Sequence, residues 1–178
     1  VLIESDSAKA KLMLEKLTDL LRVTLKNSRT EQSTIAQEVD LLDAYLNIQK
    51  IRLGERLTFS IETHEISDLQ VIPPFLIQPL VENALTHGIE PKAAGGQVNI
   101  CITQQAQQLK IEVADNGAGL KTSSANTGHG VGLSNIRQRI ETLYGDKASL
   151  TITEHVEGGV VSTICLLYTS DAADDTCC

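Results

Sequence analysis

Near Gly54 the hydrophobic rhythm of the chain changes from helical to alternating. Upstream, Ala10, Leu14, Leu17, Leu21 and Thr24 recur at spacings of four and three, as do Val39, Leu42, Leu46, Gln49 and Leu53. Each set falls on one face of a helix. Asn27-Ser28-Arg29-Thr30 and Ser33-Thr34 supply turn and capping residues between the two helices, Glu38 and Asp40 follow the second start, and Gly54 closes the second helix. Residues 1–54 therefore read as a two-helix hairpin. Such a pair buries two apolar stripes poorly on its own. It either packs on its own domain or forms half of an intermolecular bundle, and the pattern leaves both open.

Downstream, residues 55–165 alternate strands and helices. Leu57, Phe59 and Ile61 alternate with polar residues as in a half-buried strand, and Pro73-Pro74 interrupts the chain. Phe75 to His87 reads as an apolar helix stopped by Gly88. Val98, Ile100 and Ile102, then Leu109, Ile111 and Val113, predict two strands around a polar turn at 104–108. A loop rich in Gly, Ser, Thr and Asn covers 117–130, Leu133 to Tyr144 predicts a helix, and 150–164 a closing hairpin around Gly158-Gly159. The expected class is α+β, a two-layer α/β sandwich with helices on one face of one sheet, preceded by the hairpin. No P-loop or Rossmann glycine pattern occurs.

Residues 166–178 break the pattern, being polar, acidic and aperiodic. The run from Cys165 to Asp174 resembles a sequencing-adapter read-through translated in frame, so this tail is expected to be non-native and carries no functional argument. The net charge of -8 disfavours nucleic acid, and 3% aromatics without Trp disfavour base-stacking platforms. No apolar run approaches the roughly 18 residues of a membrane span. The four cysteines form no C-x-x-C pair or Cys/His cluster, which disfavours zinc and fits buried thiols in a reducing cytoplasm.

Three motifs carry chemistry. In Gln78-Pro-Leu-Val-Glu-Asn-Ala-Leu-Thr-His-Gly88, Asn83 and His87 are four apart and share a helical face. A carboxamide buried there without a partner costs about 1–3 kcal/mol. Its oxygen either meets a hard cation such as Mg²⁺ or is satisfied by neighbouring backbone. Asp115-Asn-Gly-Ala-Gly119 follows an apolar strand: it is either an ordinary turn, or a carboxylate set to accept from a ligand amino group beside glycines that admit a flat ring. Gly128-His-Gly-Val-Gly-Leu133 opens a helix, as a flexible loop or as a set of backbone N–H groups suited to phosphate.

The order of these motifs resembles the nucleotide-binding fold shared by type II topoisomerases, heat-shock chaperones, mismatch-repair proteins and histidine kinases. Tyr45-Leu-Asn-Ile-Gln-Lys-Ile-Arg-Leu-Gly-Glu-Arg-Leu57, Ile72-Pro-Pro-Phe-Leu-Ile-Gln-Pro-Leu-Val-Glu-Asn-Ala84, Gly132-Leu-Ser-Asn-Ile-Arg-Gln-Arg-Ile140 and Leu143-Tyr-Gly145 look like LytS-like sensor histidine kinases, over roughly Ser5 to Ile164. The resemblance implies a Bergerat-type ATP-binding domain with ATP and Mg²⁺ as ligands. It places Mg²⁺ at Asn83, the adenine amino group at Asp115, the adenine slot at Gly117 and Gly119, phosphates at Gly128, Gly130, Gly132 and Leu133, and a lid over 118–131. His87 either faces the phosphates or pairs with last-turn carbonyls. Thr86 stands where many relatives have Lys, and Gly159-Val160 replaces Gly-Thr.

The implied activity is transfer of the ATP γ-phosphoryl to a histidine upstream of this fragment, since none of His64, His129 and His155 lies on a helix of the hairpin. Positioning and charge neutralisation dominate such a step. Hydrolytic relatives activate water with a Glu one turn before the Asn. Pro79 stands there, which favours a kinase, and it leaves Glu82 to help activate the acceptor. The implied partners are a second copy through the hairpin and a response regulator receiver domain, with no nucleic acid. The implied setting is the cytoplasmic domain of an inner-membrane sensor, tied to the membrane only through a missing N-terminal region. A non-catalytic ATP-sensing module and an anti-sigma-factor-type Ser/Thr kinase are the alternatives, the second disfavoured by the hairpin.

Overall fold

The computed structural model describes residues 7–27, 31–67, 70–119, 131–155 and 158–168. In chain order the elements are α1 (Ser7–Asn27), β1 (Ser33–Thr34), α2 (Ile35–Leu53), β2 (Leu57–His64), β3 (Val71–Ile72), α3 (Gln78–Asn83), β4 (Gly96–Gln105), β5 (Gln108–Asp115), α4 (Val131–Tyr144), β6 (Ala148–Glu154) and β7 (Val160–Leu167). Short 3-10 turns follow α2 and α4, and α3 continues as a π-helical winding over Ala84–Ile89. Five strands form one sheet in the order β2-β4-β5-β7-β6, with β2 parallel to β4 and the other pairs antiparallel. Strands β1 and β3 pair separately, Ser33 opposite Ile72.

The alternation read in the sequence is the alternation buried. Val98, Ile100 and Ile102 of β4 and Leu109, Ile111 and Val113 of β5 meet Leu80 and Leu85 of the α3 run and Ile136 and Ile140 of α4 in one apolar core. The result is the expected α+β sandwich.

The two helices of the hairpin differ in allegiance. In α2, Thr34 accepts from the Gln37 N–H at 3.2 Å while the Gln37 side chain accepts from the Thr34 N–H at 2.9 Å, a reciprocal cap on the predicted residues. Gly54, at φ +62, ends the helix as expected. Ile35, Leu42 and Leu46 belong to the same core as the sheet. Helix α1 instead leaves Leu12, Leu14, Leu17, Leu21 and Leu25 between 39 and 67% exposed. The stripe predicted on α1 is therefore split: Ala10 and Thr24 are half-buried, whereas Leu14, Leu17 and Leu21 face outward. Packing shows no break at Gly54.

At the other end, β7 runs to Leu167, past the boundary expected at Cys165, because the buried alternation Ser162, Ile164, Leu166 continues. Residues 169–178 of the expected tail lie outside the described residues.

Candidate functional site

Pro73 and Pro74 delay the helix predicted from Phe75. Phe75 takes a left-handed φ of +58, and α3 starts at Gln78 with Pro79 in its first turn. Asn83 is the last residue of α3, after which the winding widens. His87 lies within this widened stretch, four residues after Asn83.

Gly88 does not stop the helix, since the winding continues to Ile89. Its missing side chain serves a close approach instead. A Cβ on Gly88 would stand 2.5 Å from Asp115 Oδ1, and one on Gly117 would stand 2.2 Å from the Gly88 carbonyl carbon. The Ala118 N–H donates to the Gly88 carbonyl at 3.0 Å. The Asn83 and Asp115 motifs are thus interlocked through two glycines that lie against each other.

Asp115 ends β5 and is 4% exposed. Its Oδ1 accepts from the Gly117 N–H at 2.9 Å. Burial pushes its carboxyl above the ordinary range, and the N–H groups of Gly117 and Val160 and the charges of His155 and Lys92 oppose this. The next residue is held from both sides: Asn116 Oδ1 accepts from the Gln97 N–H at 2.7 Å, and the Asn116 carbonyl accepts from Lys92 Nζ at 2.7 Å. Gly119 follows at φ +78. A carboxylate has acceptor capacity for more than one donor. Buried beside backbone without side chains, it suits the amino edge of a flat ring.

Asn83 is half-buried and offers one carboxamide oxygen. Among the described residues no cluster of three or more His, Cys, Asp or Glu suggests a protein cage for a metal. A single protein oxygen suits Mg²⁺, which keeps waters and takes its remaining ligands from substrate phosphates. Glu82 accepts from Gln78 Nε2 at 2.7 Å. Its charge adds to burial in raising the Tyr45 hydroxyl pKa. Thr86 is exposed and His87 half-buried.

Gly128, Gly130 and the rest of 120–130 within the expected lid over 118–131 lie outside the described residues. Helix α4 begins at Val131, two residues before the predicted start, with Gly132 in its first turn. Leu133 is 5% exposed and sits in the core with Ile136 and Ile140. His155 stands just beyond β6, not on a strand, and its N–H donates to the Gly159 carbonyl. Sequence reasoning missed Lys92 and His155 as neighbours of Asp115. Neither lies in a motif, and only the fold brings them together.

Comparison with known proteins identifies the family and the fold. The family described as "Histidine kinase" matches residues 1–57, and the family described as "Histidine kinase-, DNA gyrase B-, and HSP90-like ATPase" matches residues 74–170. The chain is 30% identical over 171 residues to sensor protein LytS of Streptococcus mutans serotype c, covering 90% of this chain and 29% of that protein. It therefore spans less than a third of that relative's length. Among solved structures it is similar to the histidine kinase domain of a blue-light activated histidine kinase from Erythrobacter litoralis, with a TM-score of 0.57, 20% identity, and coverage of 92% of this chain and 82% of that one. It is also similar to histidine kinase ThkA in complex with response regulator protein TrrA, with a TM-score of 0.56, 18% identity, and coverage of 88% and 48%. The fold is that of histidine kinase catalytic domains.

Proposed function

Because the chain belongs to the histidine kinase-, DNA gyrase B- and HSP90-like ATPase family, we propose that it is the catalytic portion of a sensor histidine kinase, binding ATP with Mg²⁺ and passing the γ-phosphoryl to a histidine upstream of Val1. The observation that carries this reading is the Gly88–Asp115–Gly117 interlock, which sets a buried carboxylate beside bare backbone at the end of the Asn83 helix.

In this reading Asp115 accepts the adenine amino group, Gly117 and Gly119 shape the slot, and Asn83 holds Mg²⁺. The metal supplies charge neutralisation at the phosphates. Gly128, Gly130 and Gly132 are the candidate phosphate contacts, the last of them in the first turn of α4. His87 serves as a further phosphate contact. Glu82 is a candidate for activating the acceptor. Its Oε1 is hydrogen-bonded to Gln78, and Glu82→Gln tests the role.

A second copy of the chain covers the exposed leucines of α1, and a receiver domain takes the phosphoryl group onward. Among the described residues no helix is long and apolar enough to cross a membrane. We assign the unit to the cytoplasmic side of a membrane sensor through its likeness to LytS.

Nucleotide titration with and without Mg²⁺ tests the reading, followed by transfer to a supplied segment bearing the acceptor histidine. Wild-type chain binds ATP more tightly with Mg²⁺, Asn83→Ala removes that difference, and Asp115→Asn removes binding. The phosphorylated product is acid-labile. Binding without transfer favours the ATP-sensing reading, to which the exposed Thr86 in the family's lysine position lends weight.

A further inference from the structure

Among the described residues two carboxylates are buried, Asp115 and Glu38. The first belongs to the nucleotide site. Glu38 lies on α2, is fully buried, and reaches across to the segment that leads into α3. One oxygen accepts from the Phe75 N–H at 3.0 Å and the other from the Leu76 N–H at 3.2 Å. Phe75 is left-handed at φ +58. A left-handed residue turns successive N–H groups toward one concavity, which is an anion-binding arrangement of backbone. The Glu38 carboxylate fills it.

This arrangement is costly, which argues for a purpose. Burial raises the Glu38 pKa, and only the N–H groups of Phe75, Ile77 and Leu76 and the Ser33 hydroxyl offset it. No ion pair to Glu38 occurs among the described residues. Leu76 and Ile77 beside it are fully buried, so an apolar side chain would suit the packing. A carboxylate does what an apolar group cannot, taking two consecutive N–H groups at once.

The same short segment is gripped from a third element. Arg139 of α4 donates through Nη1 to the Pro74 carbonyl at 2.7 Å. The far end of the α3 run is also held by Arg52 of α2 and by Arg56 in the 3-10 turn that follows. Arg52 pairs with the Glu90 carboxylate, and Arg56 Nη2 donates to the Glu90 and Lys92 carbonyls, each at 3.0 Å. An acid grips the start of the run that carries Asn83 and bases grip its end.

We propose that Glu38 is a positioning residue for the nucleotide site: from α2 it fixes the left-handed Phe75 turn and so sets the placement of the helix bearing Asn83. The ligand effect rests on the function proposed above, whereas the hold on the helix does not.

The test compares Glu38→Gln with Leu41→Ala. The second removes a fully buried apolar side chain from the same helix, one that makes none of the hydrogen bonds to the Phe75 turn. The Gln variant keeps volume but turns an amide nitrogen toward an N–H donor. At a temperature well below both melting points, Glu38→Gln weakens Mg-ATP binding about tenfold, the loss expected for a hydrogen bond to a charged group. Leu41→Ala lowers the melting temperature while leaving affinity unchanged. Amide exchange measured without nucleotide speeds up in Glu38→Gln at Phe75 and Leu76 and along 78–89. Arg139→Met, which frees the same turn from a half-buried position, weakens binding several-fold and covers the case in which Glu38→Gln does not fold.

Wild-type affinity in either variant, equal loss in Leu41→Ala, or faster exchange confined to Phe75 and Leu76 overturns the proposal. If the wild-type chain binds no Mg-ATP, the function proposed above fails, and exchange along 78–89 still decides the role of Glu38.

Discussion

Gly88→Ala probes the contact on which the site depends. The glycine has no left-handed φ, so the substitution brings no backbone strain, and alanine in a helical run gains about 0.5–1 kcal/mol over glycine. Against this, the new methyl would stand 2.5 Å from Asp115 Oδ1 and 2.8 Å from its Cγ. An ordinary separation of about 3.5 Å requires the carboxylate to retreat by about 1 Å. That retreat breaks the 2.9 Å bond from the Gly117 N–H, a charge-assisted bond worth about 1.5–3 kcal/mol. The net loss of stability is about 1–2 kcal/mol, which a domain of ordinary stability survives.

Nucleotide binding suffers more, because the acceptor for the adenine amino group has moved. The same 1.5–3 kcal/mol corresponds to about 10- to 100-fold in Kd. Gly117→Ala gives the opposite balance. Its methyl meets Gly88 backbone atoms at 2.2, 2.3 and 2.4 Å, and backbone cannot swing aside as a carboxylate can, so the fold itself is strained. Calorimetric titration with ATP and Mg²⁺, together with urea midpoints, separates the two effects. Gly88→Ala binding within twofold of wild type, or losing more stability than Gly117→Ala, refutes the interlock.

Three other outcomes follow from the geometry. Glu38 and Asp115 both have folded pKa values raised above their ordinary 4.5 and 3.8. In the window between ordinary and folded values the native state holds more protons than the unfolded one, so stability declines as pH rises through it and levels off above. Melting temperature against pH shows this slope, and Glu38→Gln flattens part of it. Leu14→Glu with Leu21→Glu, on the exposed face of α1, shifts the chain from dimer to monomer in sedimentation equilibrium. Two leucines at about 1.5–3 kcal/mol each make that shift exceed about 100-fold in dissociation constant. Gly95→Ala loses about 2–4 kcal/mol in urea unfolding, because Gly95 sits at φ +72 and a methyl would stand 2.0 Å from the Arg56 carbonyl oxygen.

What the sequence made legible is what depends on local pattern. Thr34 and Gln37 cap α2, Gly54 ends it, and the alternating Val98, Ile100, Ile102 and Leu109, Ile111, Val113 fill the core. Each follows from near neighbours along the chain. Asp115 was legible as a candidate site residue because glycines crowd around it in the sequence. Gly88 was seen but misread. Local reasoning treats a glycine after a helical stretch as a terminator, while here its partner lies at Asp115. The side chains answering Asp115 and Phe75 were not legible for the same reason. Lys92, His155 and Glu38 are ordinary surface residue types, and only the tertiary arrangement gives them partners. The split stripe on α1 shows the converse: helical spacing identifies a face but cannot say whether this chain or another covers it.

The division of the hairpin changes what a signal would have to move. If both helices formed one lever, a rotation could be absorbed at Gly54, where the chain turns into the sheet. Instead α2 contributes Ile35, Leu42 and Leu46 to the core, and β1 just before it pairs with β3. Its Glu38 carboxylate grips the start of the Asn83 run and its Arg52 guanidinium the end. Flexing at Gly54 would break all of these contacts together, whereas α1 carries mainly exposed leucines. Displacement of α1 therefore reaches the site through α2, already fastened to the helix it must move. Coupling of that kind is stiff: it transmits a small rotation with little loss and tolerates a large one poorly, because close-packed interiors shift between discrete arrangements instead of deforming continuously.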